Sequence, residues 1–152
     1  MMAVSVEEIL SWEPCEEYTP ERVAELFAGK ATVTAIDIIS MDITDNDKLW
    51  AVLREELIPA EILHEFACRV AETVLLKERA VGREPDPRSW AVIEAKRMWL
   101  KKEITDDELT AAREAARVAA RVAARAAAWV ATWAAEAAAG QVNIIRELLE
   151  GK

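Results

Sequence analysis

The stretch Ala111–Gly140, AAREAARVAARVAARAAAWVATWAAEAAAG, holds seventeen alanines ahead of its glycine and no bulky aromatic until Trp129. Alanine has the highest helix propensity of any residue, so the segment forms helix with little tertiary help. It also has almost no large apolar face to bury, and burial is the usual source of helix stability in proteins. The helix start signal Thr105-Asp-Asp-Glu108 is a capping box with acids placed for the helix dipole. From there the sequence predicts one helix over about 105–139, ended by Gly140, followed by a short helix 141–150 carrying Val142, Ile145, Leu148 and Leu149. A thin alanine rod lets neighbouring helices approach closely. The bulk it lacks is expected from Trp50, Phe66, Trp90, Met98 and Trp99, with Trp129 and Trp133 covering its far end.

Read in steps of four, the rod carries Arg113, Arg117, Arg121 and Arg125 in one row. Like charges at this spacing repel by a few tenths of a kcal/mol per pair when exposed. Two arrangements answer that. The arginines pair with acids such as Glu61, Glu65 and Glu72, or a portion of the row is a contact strip for an acidic partner. The step of four is not a coiled-coil heptad, and a membrane-surface helix needs a bulky apolar face that is missing before Trp129.

Other start signals are equally local. Ser5-Val-Glu-Glu8 is a capping box, and Thr19-Pro20-Glu21 opens a helix that Gly29 should end. Thr44-Asp-Asn-Asp47 caps a helix over 45–57 with Leu49, Trp50, Val52, Leu53 and Leu57 inward. Pro59 opens a helix over 59–80 with apolar pairs at helical spacing from Ile62/Leu63 to Val74/Leu75. Gly82–Pro87 is a loop, and a further helix runs from Arg88 to Lys102. Residues 31–43 are rich in β-branched side chains, which favours strand. Thr34-Ala-Ile-Asp37 reads as a helix start, and no second strand offers itself for pairing, so a short helix is the expectation. The fold class is all-α: a single domain over 1–152 of six or seven helices around the long C-terminal one. Its N-terminal region, residues 1–58, is acidic, and residues 59–152 form the remainder.

The net charge of −9 lies wholly in the first sixty residues. That repels nucleic-acid phosphates and excludes direct DNA or RNA binding as an expectation. It suits solubility or a basic partner, and Glu7, Glu8, Glu13, Glu16 and Glu17, with Glu21 and Glu25, are the acids that would meet one. No apolar run is long enough to span a membrane, no signal peptide is legible, and two cysteines are too few for a disulfide scaffold. The expectation is a cytoplasmic protein without cofactor or metal.

Only His64–Cys68, HEFAC, offers chemistry. His64 and Cys68 stand four apart on one helical face. Two ligands do not make a structural zinc site. A Cys–His nucleophile also needs a pocket and an oxyanion donor. Cys68 reads as a small core residue and His64 as a polar group at the core's edge.

LWAVLREELIPAEILHEFACRVAETVL (49–75) and AVIEAKRMWLKKEITDDELTAAREAARVAARVAARAAAW (91–129) together resemble a bacterial and phage family of immunity proteins. Its members share a HEFAC-like helix, an AIE…WL…GEIT…EEL segment and an alanine-repeat tail. The resemblance spans about Thr34–Leu149, and this chain departs from it at Lys102, which replaces a glycine. It implies a small helical protein that binds and neutralises another protein, a toxin or a defence or host protein, and it transfers no catalytic residue. The expected function is therefore a non-enzymatic, immunity-type or phage-encoded inhibitor. The alternatives are an acidic DNA-mimic anti-defence protein, a self-associating helical protein (a homo-oligomer), and an enzyme built on His64 and Cys68.

Overall fold

A computed structural model of the chain describes residues 2–124 and 134–151, with side chains for 2–119 and 137–151. The described residues are mostly helical, and the fold is all-α with one minimal sheet. They form two compact units, one of residues 1–63 and 138–152 and the other of residues 64–137.

Unit 1 begins with strand β1 (Ala3–Val4) and helix α1 (Val6–Ser11), capped by the reciprocal Ser5–Glu8 box read from sequence. Helix α2 (Pro20–Phe27) has Thr19 as N-cap and proline in its first turn. It ends two residues before Gly29, because Ala28 itself takes the left-handed conformation, with φ of 50°. Residues 31–43 hold both of the alternatives weighed for them. Val33–Thr34 form strand β2, which pairs antiparallel with β1 in the register Ala3↔Thr34 and Val4↔Val33. Thr34 then caps helix α3 (Ala35–Ile39) through a box with Asp37. The partner strand went unrecognised because two residues are too few to carry a period. What places it is the burial of Val4 and Val33 on the same core.

Helix α4 (Asp45–Val52) starts at Thr44 as expected but stops five residues short of 57. Leu53 leaves helical geometry at ψ of 59°, and the following turn buries Leu57 and Ile58. Trp50 and Leu53, expected inward, are therefore exposed at 40% and 37%. Leu49 and Val52 take the core face, and at 100° per residue that turns Trp50 sideways.

Helix α8 (Ala134–Glu150) brings the C-terminus into unit 1. It runs straight through Gly140, which is not in the left-handed region. The expected break at 140 is thus absent. A lone glycine in a helix costs about 1 kcal/mol, and the burial of Val142 and Ile145 in the next two turns outweighs it. Arg146 donates to the Ile39 carbonyl at 3.2 Å and so satisfies the open end of α3.

Unit 2 is built from α5 (Ala60–Ala80), α6 (Pro87–Leu100) and α7 (Asp106–Ala124). Thr105 and Glu108 form the expected box at the start of α7. Helices α6 and α7 pack along one another. On α7, Leu109 and Ala119 are buried and Ala112, Ala115 and Ala116 half-buried, whereas Ala111 is exposed. An i+4 row drifts by about 40° per step, so the unbroken alanine row winds from solvent into the packed face. The continuity of the expected rod through residues 125–133, and its end at Trp129 and Trp133, lie outside the described residues.

Helix α6 ends in a Schellman arrangement, with Glu103 N–H on Met98 O and Lys102 N–H on Trp99 O, both 2.9 Å. Its left-handed residue is Lys102, with φ of 61°. That is a backbone conformation that favours glycine.

Candidate functional site

The surface with the clearest binding chemistry is in unit 1. Glu7, Glu8, Glu13, Glu16, Glu17, Glu21 and Glu25 are all exposed. Glu8 is used locally in its capping box, and hydrogen bonds to backbone and to Ser5 lower the Glu7 carboxyl below its ordinary range. The ion pairs described in this unit engage other acids: Lys30 meets Asp37 at 2.6 Å, and Lys48 meets Asp45 at 3.6 Å. Asp37 is accordingly held down at about 2 by Lys30 and by the Thr34 backbone and hydroxyl.

Among these acids stands an aromatic group that sequence reasoning missed. Trp12 and Trp50 meet edge to face, with ring centroids 6.4 Å apart. The Arg54 guanidinium lies over both rings, 4.5 Å from Trp12 and 4.7 Å from Trp50. Tyr18 donates to Asp47 at 2.7 Å. Burial and this carboxylate push its phenol up to about 12. Pro14, Cys15, Tyr18, Asn46, Asp47 and Trp50 line an open cleft. Glu13, Glu16 and Glu17 interleave with these residues in sequence. The signal available beforehand was the helical wheel of α4. With Leu49 and Val52 as the core pair, Trp50 falls off the core face.

In unit 2 the structure explains His64 and Cys68 differently from a nucleophilic pair. His64 packs edge-on against Trp99, with ring centroids 5.8 Å apart and planes at 89°. Trp99 also carries the Lys96 ammonium over its ring at 3.9 Å and donates its indole N–H to Asp106 at 2.6 Å. Cys68 is buried, and burial pushes its thiol up, the direction opposite to an activated thiolate. Among the described residues no group of three or more His, Cys, Asp or Glu is placed to hold a metal ion.

Two of the three carboxylates expected to serve the arginine row, Glu65 and Glu72, are engaged by Arg97. Arg97 of α6 donates from Nε and Nη2 to Glu65 at 3.1 and 2.8 Å, and from Nη2 to Glu72 at 2.9 Å with a further contact from Nη1. Arg97 thereby lowers the Glu65 carboxyl and is itself raised. On α7, Arg113 and Arg117 are exposed, and Arg117 approaches the equally exposed Glu114 at 3.7 Å. The side chains of Arg121 and Arg125 lie outside the described residues. Helices α5 and α6 are therefore joined through His64, Glu65 and Glu72 on α5 and Arg97 and Trp99 on α6.

No family model, curated protein or solved structure matches the chain. Among the described residues no helix is long and apolar enough to cross a membrane.

Proposed function

We propose that this protein is a non-enzymatic binding module, an inhibitor of the immunity or phage-encoded kind, that engages a basic partner protein through the acidic and aromatic face of unit 1. The observation that carries this reading is Trp50, 40% exposed against Trp12 and Arg54 and set among exposed glutamates. Trp, Tyr and Arg are the residues that dominate protein-binding hot spots, and an acidic rim steers a basic partner and selects against others. The partner class, a toxin or a defence or host protein, follows from the sequence resemblance.

The test is capture of partner from lysate by the wild-type protein and by the triple variant Glu13→Lys, Glu16→Lys, Glu17→Lys. A basic protein should be retained stoichiometrically at low salt and lost with the charge reversal. Recovery of no stoichiometric partner, or equal retention by the variant, overturns the reading. The seven exposed glutamates also favour a second reading, in which they stand in for DNA phosphates against an anti-phage enzyme. Displacement of the captured partner by duplex DNA selects that version.

A further inference from the structure

We propose that the cleft between the 14–18 turn and α4 is a receptor for one basic side chain, an arginine, presented by the partner protein. This inference rests on the reading of unit 1 as a protein-binding face and names what that face grips. The cleft is lined by the aromatic side chains Tyr18 and Trp50 and by a half-buried carboxylate, Asp47. Tyr18 and Thr44 both donate to Asp47 Oδ2, at 2.7 and 2.6 Å. Those bonds orient the carboxylate while leaving Oδ1 outside them.

A planar guanidinium suits this combination: it stacks on aromatic faces and donates to a carboxylate at its edge. The molecule already sets its own arginines over these rings. Arg54 lies over Trp12 and Trp50, and Arg22 lies 5.6 Å from the Tyr18 centroid. Burial and the Asp47 carboxylate push the Tyr18 phenol up to about 12. The exposed glutamates next to the cleft residues in sequence, Glu13, Glu16 and Glu17, raise the local concentration of cations before contact. Lysine, a compact and strongly hydrated charge, fits the aromatic side chains less well.

The experiment is a nitrogen-15 NMR titration of the full chain with N-acetyl-arginine methylamide, its lysine analogue and its neutral citrulline analogue. The arginine compound should shift the Trp50 indole and Asn46 side-chain amide resonances saturably, the lysine compound more weakly, and citrulline not at all. Asp47→Asn keeps an acceptor for Tyr18 and Thr44, and Trp50→Ala removes an exposed ring; each should weaken arginine binding roughly tenfold with the rest of the spectrum unchanged. Equal shifts with citrulline, shifts confined to the glutamate backbone, or undiminished binding by both variants overturn the proposal. Partner capture that survives Asp47→Asn and Trp50→Ala but not the glutamate reversal removes the cleft and leaves the binding reading intact. Saturable arginine binding by a protein that captures no partner does the reverse.

Discussion

Unit 1 and the described residues of unit 2 solve the same problem by different means. Apart from α8, unit 1 is assembled from short elements: α3 has five residues, α1 six, and each strand two. None of these lasts alone, since an isolated helix of such length is marginal in water. What holds them is a set of bulky side chains, Val4, Val33, Ile38, Ile39, Val52, Leu57, Ile58 and Ile145, all below 2% or at 2% exposure. Unit 2 uses helices of 21, 14 and 19 residues. Among the described residues its buried side chains are fewer, Phe66, Cys68, Ile93, Leu109 and Ala119, and an arginine braces two carboxylates between α5 and α6. Where the backbone is self-sufficient the packing can be thin, and where the elements are short the core must be dense.

The comparison breaks most visibly in the unit 1 core. Ile39→Ala removes a fully buried side chain that touches no solvent, and the loss should be about 3–4 kcal/mol in urea unfolding. A loss under about 1 kcal/mol would mean the site collapses freely and the core is not what holds the short elements.

Arg97→Met tests the brace. The three side chains are 25–31% exposed, between the surface and buried limits, so the cost should be about 1–2 kcal/mol near neutral pH. The pH dependence fixes the cause. Glu65 is lowered in the folded state, so its contribution is present above the unfolded carboxylate range and lost as pH falls through the lowered folded value. The gap between wild type and variant should therefore narrow in acid, and a pH-independent gap would point to lost packing alone.

Two glycine exchanges sharpen the contrast in opposite senses. Gly140 lies inside α8 with open space where a Cβ would stand, so Gly140→Ala should raise stability by about 0.5–1 kcal/mol. Lys102 sits left-handed at the end of α6, so Lys102→Gly should stabilise by a similar amount, about 0.5–1 kcal/mol. A loss at either position would show that the local backbone is not the controlling term.

The smallest effect is spectroscopic. Tyr18 is the only tyrosine in the chain, so alkaline absorbance reports it alone. Its midpoint should lie near 12, and the stability it contributes is whole below pH about 10 and lost as pH rises through the folded value. Asp47→Asn should move that midpoint down, because it removes a negative charge beside the phenol.

Local signals in the sequence were reliable wherever a few neighbouring residues settle the energy. The boxes at Ser5 and Thr105, the helix start at Thr34 and the proline start at Thr19 all appear as read, because each closes within three residues. The readings that failed concern competition at a distance. Trp50 looked like core because tryptophan is large and apolar, yet Leu49 and Val52 occupy the buried face. Glu65 and Glu72 looked available to the arginines of α7, yet Arg97 holds both. The acidic glutamates were legible as a surface, but the cleft joins residues 14–18 to 46–50, which lie far apart in sequence.

The amino-acid sequence by itself determined that this chain is helical, where most helices begin, and that the charge excess gathers in its first sixty residues, since propensity, capping and composition are short-range or additive. Only the tertiary structure decided that Gly140 stays in a helix, that two residues at each of two distant places make a sheet, and which aromatic rings face outward. Those outcomes depend on which side chains win a shared core, and that contest is between residues far apart in the chain.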